Sequence, residues 1–342
     1  MTIQISKLTL NSPLIIGSYD FNISSDNFEA IYKTCKDSIG AIVTKTTTME
    51  KREGYKMPQV SSFGKDSFSL LVASGMANPG IETMCSELKI FKQKYPKKKI
   101  IGSIASISSP SMKKIIDELY AMSMRYLIAG ADALELNLSC PHSSEDKEKT
   151  IVIAQDSKKV YKIIKELKSR LNKKGFKDAV LIPKLTGWNC DIIEISKSAE
   201  KAGADALVIS NIFPGTGFYT GIVKNRFFNY NIGDHLLGNE KGGYTGKALH
   251  SAVLLMVESV KKHVNIPIIA TGGCASDLDS FVQTFMAGAT AIESVTPFYV
   301  HDKKSLKNIS KTKGLIDSLV SYLKKNNIPD INQLYSTSHK NA

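Results

Sequence analysis

The chain has 342 residues, of which 42% are hydrophobic and 23% are charged, and its formal net charge is +13. This length can bury one large core, and no run nears the ~18 apolar residues of a membrane span or resembles a secretory signal, so we expect one cytoplasmic domain covering residues 1–342. Much of the positive charge lies in lysine clusters typical of solvated helices and turns, so nucleic acid is not the expected partner.

Short apolar runs alternate with amphipathic segments along the chain, a pattern that predicts parallel strands separated by helices. A short extended N-terminal segment is expected at residues 3–10 and 13–17. Eight strands are predicted after it, at residues 40–44, 67–72, 99–103, 133–136, 179–183, 206–209, 267–270 and 289–294. Helical patterns lie at residues 112–128, 157–173, 191–201, 249–264 and 278–286. The predicted fold class is α/β, a (β/α)8 TIM barrel with loop insertions at its C-terminal rim, the longest being residues 211–245.

A repeated segment supports the barrel prediction. The letters Ala-Gly-Ala-Asp-Ala-Leu at residues 129–134 return at residues 202–207, and a looser copy occupies residues 287–292. A glycine fits a left-handed helix terminus at no steric cost, and the alanines let a helix lie close to a sheet. Each copy therefore predicts one joint between a helix and the following strand.

Polar residues follow most of the predicted strands. They are Thr44, Lys45 and Thr46, then Ser103, Asn137, Lys184, Ser210 with Asn211, and Thr271 with Gly272 and Gly273. Because the carboxyl ends of parallel barrel strands meet at one rim, we expect these groups to converge on a single site.

Two glycine clusters late in the chain predict a phosphate site. The backbone amides of Gly272 and Gly273 can approach an anion without obstruction by a Cβ atom, and the run from Gly242 to Gly246 before a helix offers a second such nest. Thr296, after the last strand, could add a hydroxyl. This position matches the usual phosphate site of a β/α barrel.

The hexapeptide Asn137-Leu138-Ser139-Cys140-Pro141-His142 directly follows the strand predicted at residues 133–136. Proline cannot extend a strand ladder, so the strand should end before Pro141. The amide, thiol and imidazole groups of the hexapeptide should then lie at the carboxyl end of that strand, where α/β proteins carry out their chemistry. The chain has five cysteines without any C-x-x-C pair, so neither zinc nor an iron–sulfur cluster is expected and no metal is predicted.

Together these motifs resemble the dihydroorotate dehydrogenase superfamily of flavin mononucleotide (FMN) barrels, over about residues 8–296. The resemblance rests on residues 43–46, 135–141, 183–185, 242–246 and 270–273, which occur in the family's order. It is strongest to the soluble family 1 enzymes, because the membrane-associating N-terminal helices of the quinone-linked family have no counterpart here. The resemblance implies FMN-dependent oxidation of dihydroorotate to orotate in de novo pyrimidine biosynthesis, by a homodimer that can work with an electron-transfer subunit.

The resemblance also implies residue roles. Cys140 would be the base that removes the C5 proton, while flavin N5 accepts the C6 hydride. Lys184 would lie at the pyrimidine edge of the flavin ring, and Lys45 would bridge flavin and substrate. Substrate contacts are expected from Lys45, Ser74, Gly75, Met76, Asn137, His142, Ser210 and Asn211. Cofactor contacts are expected from Gly17, Ser18, Lys45, Thr46, Asn137, Lys184, Ser210, Gly243, Gly246, Gly272, Gly273 and Thr296.

Three positions depart from the family 1 pattern and leave other substrates open. Val72 and His142 each stand where family 1 has an asparagine, and Ser210-Asn211 replaces Asn-Ser. The last two changes resemble the flavin domain of dihydropyrimidine dehydrogenase, so a reductase of that kind is one alternative. A tRNA-dihydrouridine synthase is another, since it shares the Asn-x-x-Cys-Pro loop, but little chain remains here for its RNA-binding domain. A flavin-binding subunit without catalysis is disfavoured by Cys140 and the two lysines.

Overall fold

The computed structural model describes residues 1–62, 69–107, 111–139, 152–222, 229–299 and 303–339. The strands in these residues are β1 (Ile3–Ile5), β2 (Leu8–Leu10), β3 (Leu14–Ile16), β4 (Ala41–Val43), β5 (Val60–Ser62), β6 (Ser69–Val72), β7 (Ile100–Ile104), β8 (Ala133–Asn137), β9 (Leu181–Lys184), β10 (Leu207–Ile209), β11 (Phe213–Thr216), β12 (Lys241–Gly246), β13 (Ile268–Thr271) and β14 (Ala291–Ser294). The α-helices are α1 (Ser25–Cys35), α2 (Ile81–Lys94), α3 (Met112–Ala129), α4 (Ser157–Lys173), α5 (Ile192–Ala202), α6 (His250–Lys261), α7 (Leu278–Met286), α8 (Lys311–Lys325) and α9 (Gln333–Ser338).

Eight strands close into a parallel barrel in the order β3-β4-β7-β8-β9-β10-β13-β14. The closing pair is β14 with β3, in which Ile292 faces Leu14. Nearly all residues of these strands are buried, because side chains fill the barrel on one side and pack against helices on the other. The predicted (β/α)8 barrel is confirmed.

Two of the strand predictions are wrong. The first barrel strand is β3, which we assigned to the N-terminal extended segment, and it is buried throughout and pairs with β4 and β14. The predicted strand at residues 67–72 does not enter the barrel. Its described part, β6, pairs antiparallel with β5 and β12 instead. Both are short apolar runs, and such runs do not reveal which partners they pair with.

The insertions at the C-terminal rim contribute a four-stranded antiparallel sheet in the order β11-β12-β6-β5, which we call the rim sheet. The expected long loop at residues 211–245 supplies two of its strands, β11 and β12. The rim sheet has a small core of its own, formed by Leu71, Ala73, Leu236 and Leu237.

The three repeated joints are confirmed as helix ends. Gly130 and Gly203 terminate α3 and α5 in the left-handed conformation, each with φ of 97°, and Gly288 follows α7 with φ of 107°. The aspartate of the first copy, Asp132, accepts hydrogen bonds from the backbone N–H of Ile100 and from two lysines. Asp132 therefore ties the segment after α3 to the amino-terminal edge of the barrel, opposite the rim that carries the polar residues.

Candidate active site

The polar residues predicted at the strand ends converge on one open cavity of about 1140 Å³. This value exceeds the usual ~300–1,000 Å³ of ligand pockets because it includes the open mouth. One wall is apolar and comes from the rim sheet, including Val60, Leu70 and Val72. The predicted residues that line the cavity are Ser18, Lys45, Thr46, Ser74, Met76, Asn137, Lys184, Ser210, Asn211, Gly272, Gly273 and Thr296.

Of the remaining predicted site residues, the four glycines Gly17, Gly75, Gly243 and Gly246 do not line this cavity. Gly17 and Gly246 lie just behind its wall, since a Cβ atom on Gly17 would stand 2.8 Å from Glu293, and one on Gly273 would stand 2.5 Å from the Gly246 carbonyl oxygen. Gly243 pairs with Val72 inside the rim sheet, and Gly75 has a positive φ of 58° between Ser74 and Met76. Cys140 and His142 lie outside the described residues. The roles of all six stay predictions.

A chain of hydroxyl groups connects the pocket wall to the barrel interior. Ser18 Oγ lies 3.2 Å from Thr46 Oγ1, which lies 2.9 Å from Ser103 Oγ. Ser103 donates in turn to Glu135 Oε1 at 2.8 Å. The Asn137 amide also donates to Thr46 Oγ1 at 3.2 Å. These bonds fix side chains from four barrel strands or their ends in one arrangement before any ligand arrives.

The two asparagines of the pocket hold one another. Asn211 Nδ2 donates to Ser139 Oγ at 2.8 Å and to Asn137 Oδ1 at 3.3 Å. Asn211 follows β10 and Asn137 ends β8, so the pair bridges the carboxyl end of β9, which lies between these two strands. Paired amides of this kind present both donors and acceptors to a planar heterocycle.

Sequence reasoning missed an acidic partner for Lys45. Lys45 Nζ lies 2.5 Å from Asp20 Oδ1, and both residues line the pocket. Asn22 shapes the segment that carries Asp20, because its amide donates to the carbonyl oxygens of Gly17 and Val43. The omission follows from the wrong assignment of β3, since a loop after an N-terminal extension gave no reason to place Asp20 at the rim.

A second missed feature is a buried cluster around Lys184. Its ammonium lies 2.6 Å from Glu293 Oε1 on β14 and 3.6 Å from Glu135 Oε2 on β8. Burial alone would lower the pKa of Lys184, but the two carboxylates outweigh burial and raise it above its ordinary value. Burial first, and then the carboxylate of Glu293, raise the pKa of Glu135 to about 8. The lysine is therefore held in its charged form inside the pocket.

These residues fit a flavin mononucleotide. The pocket combines an apolar wall, a pair of mutually bonded amides and a buried ammonium group. Gly272 and Gly273 are consecutive, have positive φ of 116° and 78°, and carry no Cβ atom, so a phosphate could approach their backbone N–H groups closely. Within the described residues, no group of three or more His, Cys, Asp or Glu side chains could hold a metal ion.

Comparison with known proteins gives one consistent family. The model of the dihydroorotate dehydrogenase family matches residues 1–318. The catalytic subunit of dihydroorotate dehydrogenase B (NAD⁺) from Thermoplasma acidophilum is 31% identical over 90% of this chain and 91% of its own length. Its counterpart from Carboxydothermus hydrogenoformans is 30% identical over 99% and 98%. Dihydroorotate dehydrogenase A (fumarate) from Lactobacillus helveticus is 28% identical over 97% and 96%.

A solved structure shares the fold. The ligand-free dihydroorotate dehydrogenase of Eimeria tenella superposes with a TM-score of 0.76 at 19% identity, covering 99% of this chain and 91% of that one. Among the described helices, none is long and apolar enough to cross a membrane. Because the family model matches most of the chain, the chain belongs to the dihydroorotate dehydrogenase family, whose members are FMN-dependent oxidoreductases.

Proposed function

We propose that this protein oxidises dihydroorotate to orotate with bound FMN, in de novo pyrimidine biosynthesis. The observation that carries the proposal is the convergence of Lys45, Asn137, Lys184 and Asn211 in one cavity at the carboxyl end of the barrel. The two amides can donate to and accept from a pyrimidine ring, and the two cations can stabilise negative charge on a reduced flavin or a substrate carboxylate. The chain's relatives carry the same reaction in their names.

Each residue has a distinct task in this reaction. FMN, when bound, supplies the acceptor for the two electrons and the hydrogen that leave substrate C6. Cys140 takes the C5 proton as general base. Asn137 and Asn211 hold the substrate ring by hydrogen bonds, and their mutual contacts limit its orientation. Lys184 places a positive charge where the cofactor gains electrons.

The proposal includes a partner subunit and a homodimer. Several relatives are named as the catalytic subunit of an NAD⁺-linked enzyme, whereas one is named for fumarate. The first group favours an electron-transfer subunit as the route from reduced cofactor to acceptor. We place the protein in the cytoplasm, since the four cysteines in the described residues are all unpaired.

The purified protein should be yellow and contain one FMN per chain. Anaerobic addition of dihydroorotate should bleach the flavin absorbance, while dihydrouracil and dihydrothymine, tested in parallel, should do so more slowly. Absorption spectra of protein and extracted cofactor measure both results. A colourless protein that cannot be reconstituted with FMN would overturn the proposal, and bleaching only by a neutral dihydropyrimidine would favour the dihydropyrimidine dehydrogenase-like alternative.

Val72 tests the substrate assignment more finely. It ends β6 and presents a methyl-bearing wall to the pocket where an asparagine could bond a substrate carbonyl or carboxylate. Because an unpaired polar group in a buried site costs about 1–3 kcal/mol, Val72→Asn should raise the preference for dihydroorotate over dihydrouracil by roughly 5- to 160-fold without changing FMN content. His142→Ala should impair the preferred substrate specifically. Rates of flavin reduction by the two substrates measure the ratio.

Val60→Asn is the matched control for this change. Val60 faces Val72 directly in the β5–β6 pair and also lines the pocket. The Val60→Asn variant therefore adds the same amide group one strand away. An unchanged substrate ratio in both Val72→Asn and His142→Ala would show that other residues hold the substrate.

A further inference from the structure

The cluster of Glu135, Lys184 and Glu293 is an unusual arrangement of charge. Three strands of the barrel, β8, β9 and β14, each contribute one ionisable side chain, and these residues are only 1%, 7% and 2% exposed. Two carboxylates face one ammonium, so the fully ionised cluster would have a net charge of −1. Burying an uncompensated charge is costly, and a buried group avoids that cost by changing its protonation state.

The hydrogen bonds show where a proton would reside. Glu293 Oε1 has the ammonium of Lys184 at 2.6 Å, and Glu135 Oε1 accepts a bond from Ser103. Glu135 Oε2 is buried, has no hydrogen-bond partner, and lies 3.6 Å from the ammonium, beyond hydrogen-bond range. The carboxylate with the weaker pairing is the better site for a proton, and this is Glu135. The raised pKa of Glu135 agrees with the geometry.

The barrel makes room for this arrangement. A Cβ atom on Gly17 would stand 2.8 Å from both Cγ and Oε1 of Glu293, so the glycine in this place lets the Glu293 side chain reach Lys184. Among the described residues that line the pocket, the other titratable groups do not neutralise the cluster. Lys45 and Asp20 form their own pair, and the remaining described groups are the phenols of Tyr19 and Tyr299.

We propose that the cluster holds one proton, on Glu135, beside the ion pair of Lys184 and Glu293, and that this proton adjusts the charge next to the flavin when the flavin is reduced. The inference rests on the proposed function only for the position of the flavin. Glu135 and Glu293 are positioning residues, since they act through Lys184. When two electrons enter the bound cofactor, the added negative charge makes Glu135 hold its proton more tightly. At pH values above the Glu135 pKa of about 8, where Glu135 has lost that proton, reduction draws one extra proton from solvent onto its carboxylate.

Infrared difference spectroscopy of the FMN-loaded protein tests for the proton directly. A C=O band of a protonated carboxyl group should be present at pH 7 and absent at pH 10. Glu135→Gln should remove it, and Glu293→Gln should remove it as well, because Glu135 would then pair alone with the ammonium and ionise. Asp132→Asn is the matched control, since Asp132 is a paired carboxylate near the opposite end of the same strand, β8. This substitution should leave the infrared band unchanged.

Redox titration tests the coupling. The midpoint potential of the bound flavin should fall as pH rises. Above the pH at which the infrared band disappears, the slope should be about twice the slope below that pH, because two protons then accompany two electrons instead of one. Both glutamine variants should abolish the change of slope, and Glu293→Gln should raise the potential at every pH. A band that survives in Glu135→Gln, or a slope change that survives in both variants, would overturn the inference. Failure of the proposed function would appear separately, as a protein that lacks FMN or does not respond to dihydroorotate.

Discussion

Cys140→Ala should slow the anaerobic reduction of bound flavin by dihydroorotate by a factor of about 10² to 10⁴, which is the usual contribution of a general base. The flavin should stay bound, because the proposed role of the thiol is to accept the C5 proton and not to hold the cofactor. Cys140→Ser should keep a small activity that rises with pH, since a hydroxyl is a much poorer base near neutrality. Stopped-flow absorbance under anaerobic conditions measures these rates.

The other cysteines are poor candidates for this role. Burial raises the pKa of Cys35 and Cys274 to about 12 and that of Cys85 and Cys190 to about 11. Thiols of this kind stay protonated near neutral pH and behave as small apolar side chains. Cys140 is the remaining cysteine of the chain, and in the sequence it is flanked by the polar residues Asn137, Ser139 and His142.

Cys190→Ala is the control for the loss of a thiol near the site. Cys190 is half-buried, and its Sγ donates to the carbonyl oxygen of Thr186, two residues beyond Lys184. Its replacement should leave flavin reduction within about twofold of the parent protein. If Cys140→Ala also reduces its flavin at the parent rate, the base is a different group and the thiol is structural.

The residues predicted from the sequence share one property, namely their place just after a buried strand. This position made it possible to predict Lys45, Asn137, Lys184 and Asn211 from the sequence, because every parallel barrel strand ends at the same rim. Glu135 and Glu293 were not, since each sits inside an apolar strand, and the strand pattern does not tell whether a given residue faces the barrel interior or the helices. Only the closure of the barrel, in which β8 pairs with β9 while β14 lies between β13 and β3, brings these two carboxylates to one lysine.

The rim sheet shows a second limit of sequence reasoning. β6 and β12 are separated by more than 160 residues yet pair from Ser69 with Gly246 to Val72 with Gly243. A glycine-rich strand such as β12 has little of the β-branched and aromatic composition that predicts strands, so residues 211–245 suggested a loop. The pocket wall that contains Val72 therefore depends on a long-range pairing without a local signal.

Lys184→Met should cause the largest loss of both stability and cofactor binding. Removing the ammonium leaves two buried carboxyl groups without their cation, and breaking a buried ion pair in this way typically costs about 3–5 kcal/mol of unfolding free energy. The variant should also lose FMN during purification or gel filtration, because the pocket loses the positive charge that we propose for the flavin edge. Urea unfolding and the ratio of flavin to protein absorbance measure the two effects.

The pH dependence of that loss follows from the carboxylates. Without the lysine, two buried carboxylates would face each other with no cation, so the folded state should hold protons that the unfolded state, with glutamate pKa values of about 4.3, has already released. Stability should then fall as pH rises above about 4.3, and the deficit relative to the parent should be larger at pH 8 than at pH 5. Lys168→Met, which removes the partner of Asp205 at the opposite end of the barrel, should lower stability without loss of FMN. Equal FMN loss in both lysine variants, or a deficit that shrinks as pH rises, would contradict the assigned role of Lys184.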